Sequence, residues 1–546
     1  MNATVLLDAG AVTRCRRRVH LEHDPAMVDA PRAAPDPTGE QRKADANAHR
    51  RQVADRLAVL FGGGWTEVPA EADGAERAGI TDQLVQAGAP YIWGAVLPAD
   101  VSGARRGHSE LLVRVDGGYL PVIVVRHKVT DPGAGAFTTP LSAPRPGGAR
   151  PDRHRRVRPQ PRDQLRLAHL VRLLQAAGRY PAGRAYGGAI GLDADVVLWH
   201  DLDAPTWPGG RSALAEYDAR FADRLAVARA ALDPAAAPLA DPSRVTECRG
   251  CPWWPTCETV LRDRRDVSLV LRGEDAVALR GVGVGTVDAL AALDPFAEPP
   301  TPLAGMPFED AVLLSRAWLS DYALVRRLPR IDVPRADVEL DVDMESFGDA
   351  GAYLWGSWLS GADVGLAPGY RAFATWQPLP TDDEARSFAE FWTFLRTVRA
   401  RAAARGLTFR AFCYNELAEN RWLLASTQRF AGHPGIPSTA EVTAFIESAA
   451  WFDLFGAVRE QFLCAHGKGL KTIAPAAGFT WRDPEAGGEN SMRWYRDAVG
   501  IDGSTPDDTQ RVRLLTYNED DVRATYTLRH WMSSPAVLTL PYAGDL

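Results

Sequence analysis

The stretch VELDVDMESFG, residues 338–348, decides how the C-terminal part of this chain is read. Side chains alternate across a β-strand, so residues two apart share a face. Val338, Leu340, Val342 and Met344 fall on one face, and Glu339, Asp341, Asp343 and Glu345 on the other. That alternation predicts a half-buried strand. Four carboxylates in a row repel one another unless something cationic neutralises them. They form either a solvated acidic face or one wall of a cation site.

Two later segments supply partners for the second reading. In FCYNELAENRWLL, residues 412–424, Asn415 and Glu419 are four apart and are expected on one helical face after the strand LTFRAFCYN. In RLLTYNEDDVRATYTL, residues 513–528, Tyr517 and Asp521 have the same spacing, on a closing helix expected to begin near Thr516. Hard cations such as magnesium or manganese prefer carboxylate oxygen. Two such ions about 3.5–4 Å apart activate a water and stabilise a leaving oxygen on phosphorus. Glu339, Asp341 and Asp520 are expected to neighbour the site without ligating. Asp453 reads as a helix or loop anchor, and Lys468 and Lys471 as solvated lysines or phosphate contacts.

Asp343-x-Glu345, Asn415-x3-Glu419 and Tyr517-x3-Asp521, in that order over about residues 335–535, resemble the exonuclease motifs of the DEDD superfamily. The tyrosine is similar to that of the YprB-type branch. The resemblance implies a ribonuclease H-like fold. It also implies that Asp343, Glu345, Glu419 and Asp521 hold two Mg²⁺ or Mn²⁺ ions, with Asp343 bridging them and Tyr517 orienting the attacking water. Glu419 stands where the family usually has aspartate, one methylene shorter.

A chain of 546 residues suggests several domains. A net charge of −7 excludes a basic nucleic-acid coat protein, though not a local basic surface. The N-terminus lacks the order of a secretory signal, and no apolar run is long enough to span a bilayer. A reducing cytoplasm and no membrane partner are therefore expected, where clustered cysteines read as metal ligands. TECRGCPWWPTCETV, residues 246–260, holds Cys248, Cys251 and Cys257. Cys413 and Cys464 sit in apolar runs and read as buried, which leaves Cys15 as the fourth ligand. Four thiolates suit either Zn²⁺ or a [4Fe–4S] cluster.

The N-terminal half is expected to contain a hairpin, SELLVRVDG and YLPVIVVRHKV around Gly117-Gly118, and then a helix, RDQLRLAHLVRLLQAAG. Residues 150–166, running into the start of that helix, carry seven arginines, Arg153, Arg155, Arg156 and Arg158 among them. This is a solvated loop or a phosphate-facing one. VALRGVGVGTVDALAAL, residues 277–293, resembles a helix-hairpin-helix motif. Its Gly281 and Gly283 would offer N–H groups to a nucleic-acid phosphate, or else form a plain tight turn.

A distal cysteine paired with a compact trio resembles the iron–sulfur RecB-like nucleases. The resemblance favours [4Fe–4S] over zinc and implies a PD-(D/E)XK fold. It places His49, Glu110, Lys128 and Gln164 at that family's motif positions. Arg126 stands where an acid should alternate with Lys128, and a guanidinium cannot ligate a cation. This site is expected to be degenerate and to bind DNA without cutting it.

The expectation is an α/β multidomain chain. A RecB-like PD-(D/E)XK domain with a four-cysteine cluster occupies 1–265, a helix-hairpin-helix region 266–330 and a ribonuclease H-like domain 331–546. The expected function is a metal-dependent nuclease, a 3′-to-5′ exonuclease acting on DNA in repair or nucleic-acid processing, alongside a helicase or repair partner. The alternatives are a non-catalytic nucleic-acid-binding scaffold and the same chemistry on RNA. Oligomeric state is not legible.

Overall fold

The computed structural model describes residues 4–34, 37–193, 195–501 and 503–546. The chain divides into two compact units, Met1–Arg264 and Arg265–Leu546. Residues 266–330, expected as a separate region, belong to the second unit. The strand Leu324–Arg326 pairs there with Phe462–Cys464, and Leu313, Leu314 and Val325 share a core with Leu463.

In the second unit five strands form one sheet. Their spatial order is Gly369–Ala374, Ala352–Gly361, Val338–Ser346, Phe409–Cys413, Trp451–Asp453. The first three are mutually antiparallel, and the last two run parallel to Val338–Ser346. The acidic strand is thus the central one. Its apolar face, Val338, Leu340, Val342 and Met344, packs into a core with Phe388, Phe391, Trp392, Leu395 and Val398 of the helix Asp383–Ala404. Each such buried side chain contributes roughly 1.5–3 kcal/mol. The opposite face meets the helix Asp508–Met532. That helix begins eight residues before Thr516, capped by the Asp507 carboxylate, which accepts from Thr509 N. The cap is a starting signal of the ordinary kind, in a polar stretch without apolar periodicity.

Glu339 and Asp341 belong to this face but are spent on structure. Arg529, 0% exposed, grips Asp341 with two N–H groups at 3.0 and 2.7 Å and also reaches Glu339. Arg335 adds a second bidentate contact to Glu339 at 2.7 and 2.8 Å. Burial opposes ionisation, yet these guanidinium groups hold the Glu339 carboxyl down at about 2.

The first unit is built on an eight-stranded mixed sheet. Arg105–Val115 and Gly118–Val124 form an antiparallel pair, turning at Gly117 with φ +83°. Gly118–Val124 runs parallel to Tyr186–Ile190. Ile123 and Leu112 pack beneath the helices Pro161–Ala176 and Ala213–Ala231, whereas Val122, Val124 and Leu111 pack with Val53 and Leu57 of Pro37–Phe61. Both faces are covered, which explains the unbroken apolar run in this strand. The strand ends at Val124, so Arg126 and Lys128 lie in the following loop and do not alternate on a strand as expected.

Among the described residues, no helix is long and apolar enough to cross a membrane.

Candidate active site

The C-terminal half of the acidic strand and the middle of the helix Asp508–Met532 bring Asp343, Glu345 and Asp521 together. Carboxylate oxygens of all three lie within 4.8 Å of one another. Glu345 and Asp521 are each 8% exposed, while Asp343 keeps an opening to solvent. Burial and the neighbouring carboxylates push all three upward, Glu345 to about 8. Glu419, 3% exposed, is likewise pushed to about 8 by burial and by Asp453 and Glu345 nearby, and its Oε2 has no hydrogen-bond partner. Three converging carboxylates, short of positive charge, are a donor set that suits a hard divalent ion. Such an ion would lower the cost of keeping the acids ionised and would polarise water and phosphoryl oxygen.

The carboxylates are oriented by neutral donors. Ser491 Oγ donates to Glu345 Oε2 at 2.8 Å, and Trp481 Nε1 donates to Asp521 Oδ1 at 2.6 Å. Asn518 Nδ2 donates to Asp343 Oδ2 at 2.8 Å, while its Oδ1 accepts from Tyr370 OH at 2.7 Å. Asn518 reaches Asp343 across Gly356, the residue paired with Asp343 on the adjacent strand. A Cβ at Gly356 would stand 1.7 Å from Asn518 Oδ1, so only glycine leaves room for this contact.

Tyr517 is buried, and Lys471 Nζ donates to its hydroxyl at 2.8 Å. The same ammonium lies 3.7 Å from Asp521 Oδ2. Lys471, expected as solvated or on phosphate, is therefore part of the carboxylate site. Its contact spans 46 residues, and nothing in its own segment announces it. Asn518 did carry a signal, since it sits three residues before Asp521 on one helix. Trp481 and Ser491 carried none.

Asn415 differs from expectation. Its φ is +73°, and it precedes the helix Leu417–Arg429 that carries Glu419, so the two do not share a helical face. Asn415 N donates to Asp453 Oδ1 at 2.8 Å, and Asp453 also caps the helix Leu454–Gln461. Asp453 is thus an anchor for two segments. Asp520 accepts from Arg482 N and Nε, both at 2.8 Å, outside the carboxylate trio.

In the first unit Cys15, Cys248, Cys251 and Cys257 line one small pocket, although Cys15 is distant in sequence. Glu247 fixes the approach, accepting from Cys15 N at 2.6 Å and from Arg18 at 2.9 Å. Burial pushes the Cys257 thiol up to about 11, and those of Cys248 and Cys251 upward as well. The four cysteines share this pocket, but no three of their sulfurs lie within 4.8 Å of one another as the three carboxylates do. Cys413 and Cys464 are buried in the other unit's cores.

Glu110, 5% exposed, meets two arginines through one oxygen, while its Oε2 has no hydrogen-bond partner. Arg166 donates to its Oε1 at 2.6 Å and Arg50 at 3.2 Å. Arg126 pairs with Asp45 at 2.8 Å. His49 is buried, and desolvation with Arg126 and Arg50 nearby lowers its proton affinity. Gln164 Oε1 accepts from Trp207 Nε1 at 2.8 Å, a bond internal to the fold. Lys128 is partly exposed. Of the arginine-rich loop, Arg155 pairs with Asp195 at 2.5 Å and Arg158 with Asp131 at 2.8 Å, while Arg153 and Arg156 remain exposed.

The turn at Gly281 and Gly283 also spends its donors internally. Gly283, at φ +85°, donates its N–H to Arg280 O at 3.1 Å, and Val284 N donates to Leu279 O at 2.9 Å. These two bonds close the helix Glu274–Gly281. The Gly283 N–H therefore does not face a phosphate as expected.

A family model of the RNase H superfamily matches residues 432–533. The matched segment carries Lys471, Trp481, Ser491, Tyr517 and Asp521; the acidic strand and Glu419 precede it. No curated protein and no solved structure matches the chain. The C-terminal part of the chain carries an RNase H-like α/β domain.

Proposed function

We propose that this protein is a metal-dependent nuclease whose working site is the carboxylate cluster of its C-terminal domain. The observation that carries the reading is the convergence of Asp343, Glu345 and Asp521 oxygens within 4.8 Å, on a domain matched by an RNase H superfamily model. In this reading the trio holds Mg²⁺ or Mn²⁺, with Glu419 completing the set. Lys471 and Tyr517 border the place where water and the scissile phosphate meet. Polarity from 3′ to 5′ is carried over from the DEDD resemblance, and DNA as the substrate, in repair or nucleic-acid processing, belongs to the same reading. Nucleic-acid contacts by the exposed Arg153 and Arg156 belong to the same proposal.

In the first unit the arginines on Glu110 support a nuclease-like site that no longer needs a metal ion and positions the strand instead. The shared pocket of Cys15, Cys248, Cys251 and Cys257 supports a four-thiolate site, read as [4Fe–4S], with zinc as the alternative. Iron, sulfide and zinc content of protein purified without oxygen separates the two.

The functional test is degradation of end-labelled single-stranded DNA with Mn²⁺, comparing the full chain with Asp343→Ala. Shortening that vanishes in the variant is the expected result. Shortening that survives would move the chemistry to the first unit. DNA bound but uncut by either protein, with RNA also uncut, would make the chain a scaffold.

A further inference from the structure

The Met1–Arg264 unit contains a cavity of about 840 Å³ next to Glu110. This lies within the roughly 300–1,000 Å³ of small-ligand sites. Arg14, Arg50, Arg106, Arg162 and Arg166 line it, against two acids, Asp8 and Asp163. Asp163 accepts from His127 at 2.8 Å, and Asp8 Oδ2 lies 3.4 Å from Arg14 while its Oδ1 has no hydrogen-bond partner. Arg50 and Arg166 hold Glu110. Arg106 and Arg162 are exposed and have no carboxylate partner among the described residues. The cavity thus carries surplus positive charge with two guanidinium groups ready to bind. The helix Pro161–Ala176 opens at the same place with no side-chain cap on its N-terminus, which adds a further attraction for an anion. The rest of the lining is largely aliphatic, including Leu6, Val96, Leu97 and Leu170.

We propose that this cavity is a metal-independent binding site for a nucleoside phosphate, with Arg106 and Arg162 on the phosphate and the aliphatic wall against base and sugar. Guanidinium groups match phosphate with paired N–H donors, and their charge does not depend on a bound ion. The ligand is a free nucleotide or the phosphorylated end of a strand, which share this chemistry. The inference rests on reading the first unit as one that binds nucleic acid without cutting it. It is independent of whether the C-terminal carboxylates are catalytic.

The test is isothermal titration calorimetry on the full chain carrying Glu345→Gln, in EDTA, so that neither metal nor turnover enters. The probes are thymidine 5′-monophosphate, thymidine, inorganic phosphate, and one oligonucleotide with and without a 5′-phosphate. Thymidine monophosphate should bind at least about tenfold more tightly than thymidine or inorganic phosphate. Arg106→Ala with Arg162→Ala should weaken it at least about tenfold at an unchanged melting temperature. Tighter binding by the phosphorylated oligonucleotide than by its unphosphorylated form and by the nucleotide identifies a strand end; preference for the nucleotide identifies a free ligand. Absence of nucleotide and phosphorylated-strand binding, equal binding by the double variant, or equal binding by inorganic phosphate would overturn the proposal. Failure of the carboxylate site to degrade DNA would leave these readings intact, so the two failures are distinguishable.

Discussion

Glu110 and Glu345 are both strand glutamates with little exposure, 5% and 8%, and both have neighbours placed for charge. Their neighbours differ in sign. Glu110 accepts from two guanidinium groups, Arg166 at 2.6 Å and Arg50 at 3.2 Å. Glu345 meets two more carboxylates, a serine hydroxyl at 2.8 Å and the phenol of Tyr353. A buried carboxylate is costly unless paired. Glu110 carries its counter-charge in the chain, whereas Glu345 forms no ion pair among the described residues. In the proposed function two acids alike in sequence have opposite relations to a metal ion, and the surrounding arginines, brought in from other segments, separate them.

The same substitution at both places should break the symmetry most visibly. Glu345→Gln should reduce Mn²⁺-dependent degradation by more than about 100-fold, since even outer partners of metal ligands are worth about 10–100-fold. Glu110→Gln should leave the initial rate within about twofold. Equal losses in the two variants would erase the distinction.

A second comparison lies within one strand. Glu339 and Asp341 share a face with Asp343 and Glu345 but are held by Arg529, which is 0% exposed. Arg529→Ala leaves the buried Asp341 without its partner and Glu339 with Arg335 alone, and should cost about 3–5 kcal/mol, read as a shift in the urea midpoint. A shift below about 1 kcal/mol would show that these acids resemble the metal site more than a structural ion pair.

Lys471→Met should lower kcat by roughly 10–100-fold with a smaller change in KM, because the ammonium fixes Tyr517 and sits beside Asp521. Partial recovery in Lys471→Arg separates charge and positioning from simple packing. A change confined to KM would make Lys471 a substrate contact.

The smallest effect is on stability against pH. Glu345 and Glu419 have folded values raised from 4.5 to about 8. Between those values the folded chain binds more protons than the unfolded one, so metal-free stability should fall as pH rises from about 4.5 to about 8. Metal binding needs the ionised acids and strengthens over the same interval. Melting temperatures with and without Mn²⁺ should therefore diverge as pH rises. A constant gap would mean that the ion binds elsewhere.

Much of the C-terminal site was legible because a strand has a period of two. Asp343 and Glu345 could be assigned to one face from the spacing of Val338, Leu340, Val342 and Met344 alone. Tyr517 and Asp521 were legible through helical spacing, although the helix starts at Asp508, well before the expected residue. Asn415 was misplaced because spacing carries no information on a φ of +73°. Lys471, Trp481 and Ser491 were missed because the contacts that matter cross tens of residues and leave no local pattern. In the first unit the gathering of Cys15 with the distant trio was readable from cysteine count. The cations on Glu110 were not, because Arg50 and Arg166 come from two helices that only the fold brings to one strand.

The most direct test of the account is a Mn²⁺ titration followed by electron paramagnetic resonance on the full chain, Asp343→Asn and Glu110→Gln. Binding lost in Asp343→Asn and kept in Glu110→Gln is the predicted result. Binding kept in Asp343→Asn and lost in Glu110→Gln would contradict the account, because the metal would then belong to the site whose charge its own arginines satisfy.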